Sequence, residues 1–234
     1  QNINDPMGIN VIPSYPDYDP LYGDTDPVVL ENVVGILYDE DAIMTDFQLD
    51  GVWNYTTGTL VHNGAVWSGS GWTGQPLIVK WDAATKQQMN LYPEKKAKED
   101  LVEIIYATLD GHIYFLDLED GSSTRDTITI GMALKGAGSL DPRGWPILYV
   151  GSGINYNGAP KMYVISLIEN KILYSQSGQD SFASRSWYAF DSSPMISAAT
   201  DTIVWPGESG VLYSIKLNTQ YDKAAGTLTM SPET

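Results

Sequence analysis

The sequence predicts an all-β chain built from repeated antiparallel strand units, on three observations. A short apolar run with a central aromatic residue recurs four times, at 65–69, 104–108, 147–151 and 203–207. Each is followed within a few residues by a second apolar run, at 76–82, 112–117, 161–166 and 211–216. The central aromatics Trp67, Tyr106, Tyr149 and Trp205 are spaced by 39, 43 and 56 residues, the repeat length of β-propeller blades rather than of hairpins in a sandwich. Helical periodicity is essentially absent, and 22 Gly and 13 Pro supply turns.

Residues 1–50 precede the repeats. Pro6, Pro13, Pro16, Pro20 and Pro27 stand among Asp and Tyr, which rules out a helix and predicts an extended arm through about residue 27, ordered by docking on a surface. The runs 28–30, 33–38 and 42–47, parted by Glu31-Asn32 and Asp39-Glu40-Asp41, read as short strands of a partial blade. The chain opens without Met and without the basic and apolar segments of a signal peptide, and reads as a processed or trimmed product.

Blades occupy residues 51–234. The first is expected to pair run 65–69 with run 76–82 across the loop 70–75, ending at Asp82-Ala83-Ala84-Thr85. The charged stretch 92–100 reads as a solvated inter-blade loop. Leu109-Asp110-Gly111 is the tightest connection, because Asp-Gly supplies the positive φ of a short hairpin, and it joins run 104–108 to run 112–117. A longer loop with Asn157-Gly158 joins the third pair, Glu208-Ser209-Gly210 joins the fourth, and Asn218-Thr219 follows it.

The last repeat carries a resemblance. Ser192-Ser193-Pro194-Met195-Ile196, then Thr202-Ile203-Val204-Trp205-Pro206-Gly207, then Gly210-Val211-Leu212-Tyr213-Ser214-Ile215 resembles the PQQ-like (quinoprotein-type) β-propeller repeat. Residues 104–121 and 147–166 match in part, and 59–82 is similar through Trp67-Ser68-Gly69-Ser70 and Trp81-Asp82. The resemblance covers 51–234 and implies four-stranded blades, not a chemistry. Members of that family close with seven or eight blades. With about four visible, the resemblance implies part of a larger ring, completed by a second polypeptide or a symmetry mate. A working quinoprotein would also hold Ca²⁺ against the quinone, with a catalytic Asp and a Trp beneath the ring. The blade motifs assign none of those positions here, and the adjacent Cys pair of many members is missing.

Charge and composition narrow the partners. A net charge of −16, from 29 Asp+Glu against 13 Lys+Arg, repels nucleic acid and anionic membranes. No run approaches 18 apolar residues, so no helical membrane insertion is expected. The absence of cysteine excludes a disulfide, a thiolate metal site and a cysteine nucleophile, and suits an exported bacterial protein.

Candidate sites are few. Asp17, Asp19, Asp24 and Asp26 form Asp-x-Asp pairs that put two carboxylates on one side of an extended chain, as Ca²⁺ wants, although no glycine-turned loop closing on a Glu accompanies them and a solvated arm is the stronger reading. Asp117 to Ser122 is calcium-like in composition but occupies a hairpin turn. His62 and His112 lie 50 residues apart, in neither clear strand nor clear loop. The nucleophile-elbow, P-loop and dinucleotide fingerprints are absent. Aromatics within the runs should pack between blades. Trp72, Trp145, Trp187 and Tyr188 fall in loops or at strand starts and form the candidate platform for a glycan or peptide.

The expectation is a non-enzymatic, extracytoplasmic binding or scaffold module that presents loops to a protein or surface polymer and uses no resident cofactor. The alternative is an oxidoreductase dependent on pyrroloquinoline quinone and calcium. A glycan-active propeller enzyme is a third reading, resting only on aromatics and carboxylates.

Overall fold

The computed structural model describes residues 53–71, 74–155 and 158–233. The chain divides into a unit of residues 1–52 and a unit of residues 53–234. The Pro/Asp-rich arm and the strand runs of 28–47 therefore lie outside the described residues.

Among the described residues the second unit is all-β apart from two short helices. β1 (Thr59–His62) and β2 (Ala65–Ser68) form a hairpin. Its turn is Asn63-Gly64, both left-handed at φ 49° and 79°, the geometry a two-residue turn between twisted strands requires. β3 (Leu77–Val79), β4 (Glu103–Ala107), β5 (His112–Asp117) and β6 (Ile128–Thr129) follow one another across a four-stranded antiparallel sheet. β7 (Ser139–Leu140), β8 (Ile147–Gly151), β9 (Lys161–Ser166) and β10 (Lys171–Ser177) make a second such sheet. β11 (Met195–Ser197), β12 (Thr202–Pro206) and β13 (Leu212–Lys216) make a third with three strands. A hairpin of β14 (Gln220–Asp222) and β15 (Thr227–Thr229) completes the set. No closed ring of blades is present among the described residues.

Three of the four expected strand pairs form. Tyr106 opposes Tyr114 in β4–β5, Tyr149 opposes Val164 in β8–β9, and Trp205 opposes Tyr213 in β12–β13. The first pair does not. β2 pairs with β1, and β3 pairs with β4, Leu77 opposite Ile105. The Asn63-Gly64 turn closes a local hairpin that leaves run 76–82 to another partner. That run is also cut short, because Asp82 caps helix α1 (Ala83–Gln88) by accepting from Thr85 N–H at 3.0 Å.

Strict alternation along β8 and β9 places the core. Ile147, Tyr149, Met162 and Val164 turn to the third sheet and pack with Ile203, Trp205, Tyr213 and Ile215. Leu148, Val150, Tyr163 and Ile165 turn the other way, onto Ile105, Ile113 and Phe115 of the first sheet. The central strands β8 and β9 are thus buried on both faces, which is why they read as unbroken apolar runs. Each large side chain removed from water there contributes about 1.5–3 kcal/mol.

The stretch 92–100 is not a solvated loop. Pro93 opens helix α2 (Pro93–Ala97), where its missing N–H has no intrahelical partner to lose. Lys95 is buried, and its ammonium donates to Asp117 at 2.7 Å and to Ser122 Oγ at 2.6 Å. Lys98 donates to the same Asp117 oxygen at 2.8 Å. Asp117 ends β5 with its carboxylate buried, and a buried carboxylate needs a counter-charge, which pulls the two lysines in.

Candidate functional site

The segment 178–190, between β10 and β11, carries two exposed aromatics, Phe182 and Trp187. It is rooted by Phe190, which is fully buried with its ring 5.7 Å from Trp205 and 5.6 Å from Tyr213. Backbone bonds hold it at intervals: Gly178 N–H to Pro160 O at 2.9 Å, Ser184 N–H to Ser209 O at 2.9 Å, and Phe190 N–H to Ser152 O at 3.0 Å. Asn155 adds a clamp, donating to Ser186 O at 2.8 Å and accepting from Tyr188 N–H at 3.4 Å. Gly178 is required, since a Cβ there would overlap the Tyr188 carbonyl oxygen. On this frame Phe182 is 85% exposed and Trp187 44% exposed.

Of the sequence candidates, Trp187 and Tyr188 are neighbours on this loop, Trp187 outward and Tyr188 half-buried. Trp145 is elsewhere. It precedes β8, whereas Gly151 at the far end of β8 touches Phe190, so the length of β8, about 13 Å, separates Trp145 from the loop. Its ring is also covered, with Arg143 3.7 Å above it and Tyr221 at 5.7 Å. Trp72, Asp17, Asp19, Asp24 and Asp26 lie outside the described residues. Phe182 was missed by sequence reasoning. The available signal was a lone phenylalanine among Gln179, Asp180, Ser181, Ser184, Arg185 and Ser186, with too few apolar neighbours to join a core.

The buried ionisable groups are matched within the protein. Glu103 accepts from Arg125, Thr124 and Trp81. Burial pushes the Arg125 guanidinium down, and the Glu103 charge opposes that shift. Asp141 accepts from Arg143 and from Tyr149 at 2.9 Å, while Arg143 also reaches Asp201 at 2.8 Å. Asp110 accepts from Thr108, from His112 N–H at 3.1 Å and from Tyr114 at 2.5 Å. Burial raises the Asp110 carboxyl, but these bonds outweigh it and hold it below the usual value. Lys135 meets Asp191 at 2.6 Å.

His62 ends β1 and His112 opens β5, so both lie in strands, with His112 Nδ1 3.3 Å from Asp110. Among the described residues no group of three or more His, Cys, Asp or Glu is arranged to hold a metal. The buried carboxylates among them do not fit Ca²⁺ against a quinone, because Arg, Lys, Thr, Tyr and Trp donors occupy their oxygens.

No protein-family model matches the chain, and no curated protein matches it. Among solved structures it is similar to a europium-containing methanol dehydrogenase, with a TM-score of 0.35 and 14% identity, covering 66% of this chain and 37% of that one. The chain spans little more than a third of that protein's length. A likeness this loose bears on neither activity nor ligand.

Proposed function

We propose that the chain is a non-enzymatic, extracytoplasmic binding module, a stack of propeller-type blades whose 178–190 loop engages a protein or glycan partner. The observation that carries this reading is the exposure of Phe182 and Trp187 on one loop rooted by the buried Phe190. Aromatic area held on a rigid frame gives affinity at small entropic cost, and the cost of exposing it in the free protein is offset when a partner covers it. The blade reading rests on the two four-stranded meanders and on the face-to-face packing of successive sheets through the two cores.

The test is a glycan array and an immobilised peptide library probed with wild type and with the Phe182→Ala/Trp187→Ala variant. Ligands retained by wild type and lost by the folded variant support the loop. Equal retention by both removes it as the binding surface. A bound-quinone absorbance spectrum after soaking with pyrroloquinoline quinone and Ca²⁺ would replace this reading with the oxidoreductase.

A further inference from the structure

The 178–190 loop carries a cation that the fold does not use. The chain has three arginines, and two are paired within it, Arg125 on Glu103 and Arg143 on Asp141 and Asp201. Arg185 is exposed, and its guanidinium makes neither an ion pair nor a hydrogen bond with any described residue. In a chain with 29 Asp+Glu against 13 Lys+Arg, carboxylates are plentiful, so their absence around this arginine is selective. The loop's own carboxylate, Asp180, is engaged elsewhere. It accepts from Phe182 N–H at 2.9 Å and from the Tyr213 hydroxyl at 3.3 Å.

Arg185 stands between the two exposed aromatics of the loop, three residues after Phe182 and two before Trp187. Two residues of chain span about 7 Å at most, so one sugar ring with its carboxylate can bridge Trp187 and Arg185. The composition around them selects the kind of ligand. Between Gly178 and Phe190 there is no Val, Ile, Leu or Met, while Gln179, Ser181 and Ser186 are exposed, with side chains that bond to no described residue. Protein interfaces have apolar centres and are depleted of serine and alanine, which are plentiful in this loop. A pyranose ring wants the opposite, an aromatic face against its C–H groups and polar groups around its hydroxyls.

We propose that the loop binds a glycan carrying an isolated acidic sugar, whose ring lies on Trp187 and whose carboxylate takes the planar fork of Arg185, with Phe182 meeting a neighbouring unit. Arginine suits this role because its two parallel N–H groups match a carboxylate in both charge and geometry. The net charge decides against a polyanion. A chain of net charge −16 repels a run of carboxylates at long range, whereas a single one in a neutral glycan meets Arg185 at contact, inside the screening length of about 8 Å at physiological salt. The proposal rests on the reading of this loop as a binding surface, and narrows its ligand to one chemical class.

The probe is a xylo-oligosaccharide bearing one glucuronic acid, titrated calorimetrically against the same oligosaccharide with its carboxyl reduced to the alcohol. Wild type should bind the acid saturably and prefer it about tenfold or more over the reduced form, the worth of one charge-assisted contact. Arg185→Ala should bind the two forms equally, and Arg185→Lys should keep only part of the preference, since an ammonium offers no fork. A fully acidic oligogalacturonate should bind wild type more weakly than the singly charged probe at low salt. No saturable binding of the acid, equal affinity of wild type for the acid and its reduced form, a preference retained by Arg185→Ala, or tighter binding of the oligogalacturonate each overturns the proposal. The comparison of acid with reduced form needs no variant, so it decides even if a substitution disturbs the loop. Failure of the loop itself shows separately: ligands, an acidic peptide among them, that depend on Phe182 and Trp187 but not on Arg185 leave the binding surface standing and remove only the acidic sugar.

Discussion

Arg125 and Glu103 meet with neither side chain exposed, Nη2 2.6 Å from Oε2 and Nε 3.0 Å from Oε1. The remaining Arg125 nitrogen donates to Leu167 O at 2.9 Å, which ties the first sheet to the turn after β9, and the guanidinium lies 4.7 Å from the Phe115 ring centre. Glu103→Gln leaves the guanidinium buried without its counter-charge and should cost about 3–5 kcal/mol, read as a lowered urea midpoint. The double variant Glu103→Leu/Arg125→Met should recover most of that loss. A single variant as stable as wild type would show that the pair is not needed.

Acid should release the clamp at Asp117. Burial raises that carboxyl, but the hydrogen bonds from Lys95 and Lys98 outweigh it and hold it below the ordinary value. The unfolded chain titrates this group near pH 4, so its contribution is fully present above that pH and is lost as pH falls through the lower folded value. Asp117→Asn should be less stable at neutral pH and show a shallower loss of stability below pH 4. Parallel acid limbs for the two proteins would assign the effect to other carboxyls.

Alkali acts on Tyr114. Burial, and then its hydrogen bond to Asp110, push the phenol up to about 12. An unfolded tyrosine ionises near pH 10, so the folded state keeps its proton longer, and the associated stability declines as pH rises from about 10 through 12. Tyrosinate absorbance of wild type and Tyr114→Phe should differ by one late-titrating group, and a difference already complete at pH 10 would contradict the shift.

Gly151 and Gly178 fix the loop to the sheet. A Cβ at Gly151 would overlap the Phe190 carbonyl, and one at Gly178 the Tyr188 carbonyl, both backbone atoms that cannot rotate away. Alanine at either position should cost about 1–3 kcal/mol by forcing the backbones apart. Gly178→Ala should also alter Trp187 fluorescence without touching the indole. An unshifted emission spectrum would mean the loop is not seated by this contact.

Two loop tryptophans should respond in opposite ways. Trp145→Ala removes the Arg143 stacking contact and should lose about 1–2 kcal/mol from that cation–π interaction alone. Trp187→Ala, on the exposed surface, should stay within about 0.5 kcal/mol of wild type. Thermal melts of the two variants decide this, and equal destabilisation would place Trp187 in the packing.

Where strands draw their signal from alternation and from turn chemistry, the sequence was readable. Asp110-Gly111 and the runs around Tyr149 and Trp205 located β4–β5, β8–β9 and β12–β13 correctly. The partner of β3 was not readable, because three apolar residues specify a buried strand without saying which edge they join. Helix α2 was hidden for a different reason. Five residues rich in lysine resemble a solvated loop until Asp117, some twenty positions on, supplies the charge that draws Lys95 inward. Trp187 and Phe182 differ in the same way, one visible as a loop tryptophan and the other overlooked in a polar run.

The double burial of β8 means that chain neighbours answer to different masters. Tyr149 presses on the sheet that holds Trp205, and Val150, the next residue, presses on the sheet that holds Phe115. A displacement of the third sheet would reach the first through the thickness of one strand, without passing along the backbone that joins them. The two outer sheets bear on opposite faces of one strand, so a shift of either changes the packing that the other meets.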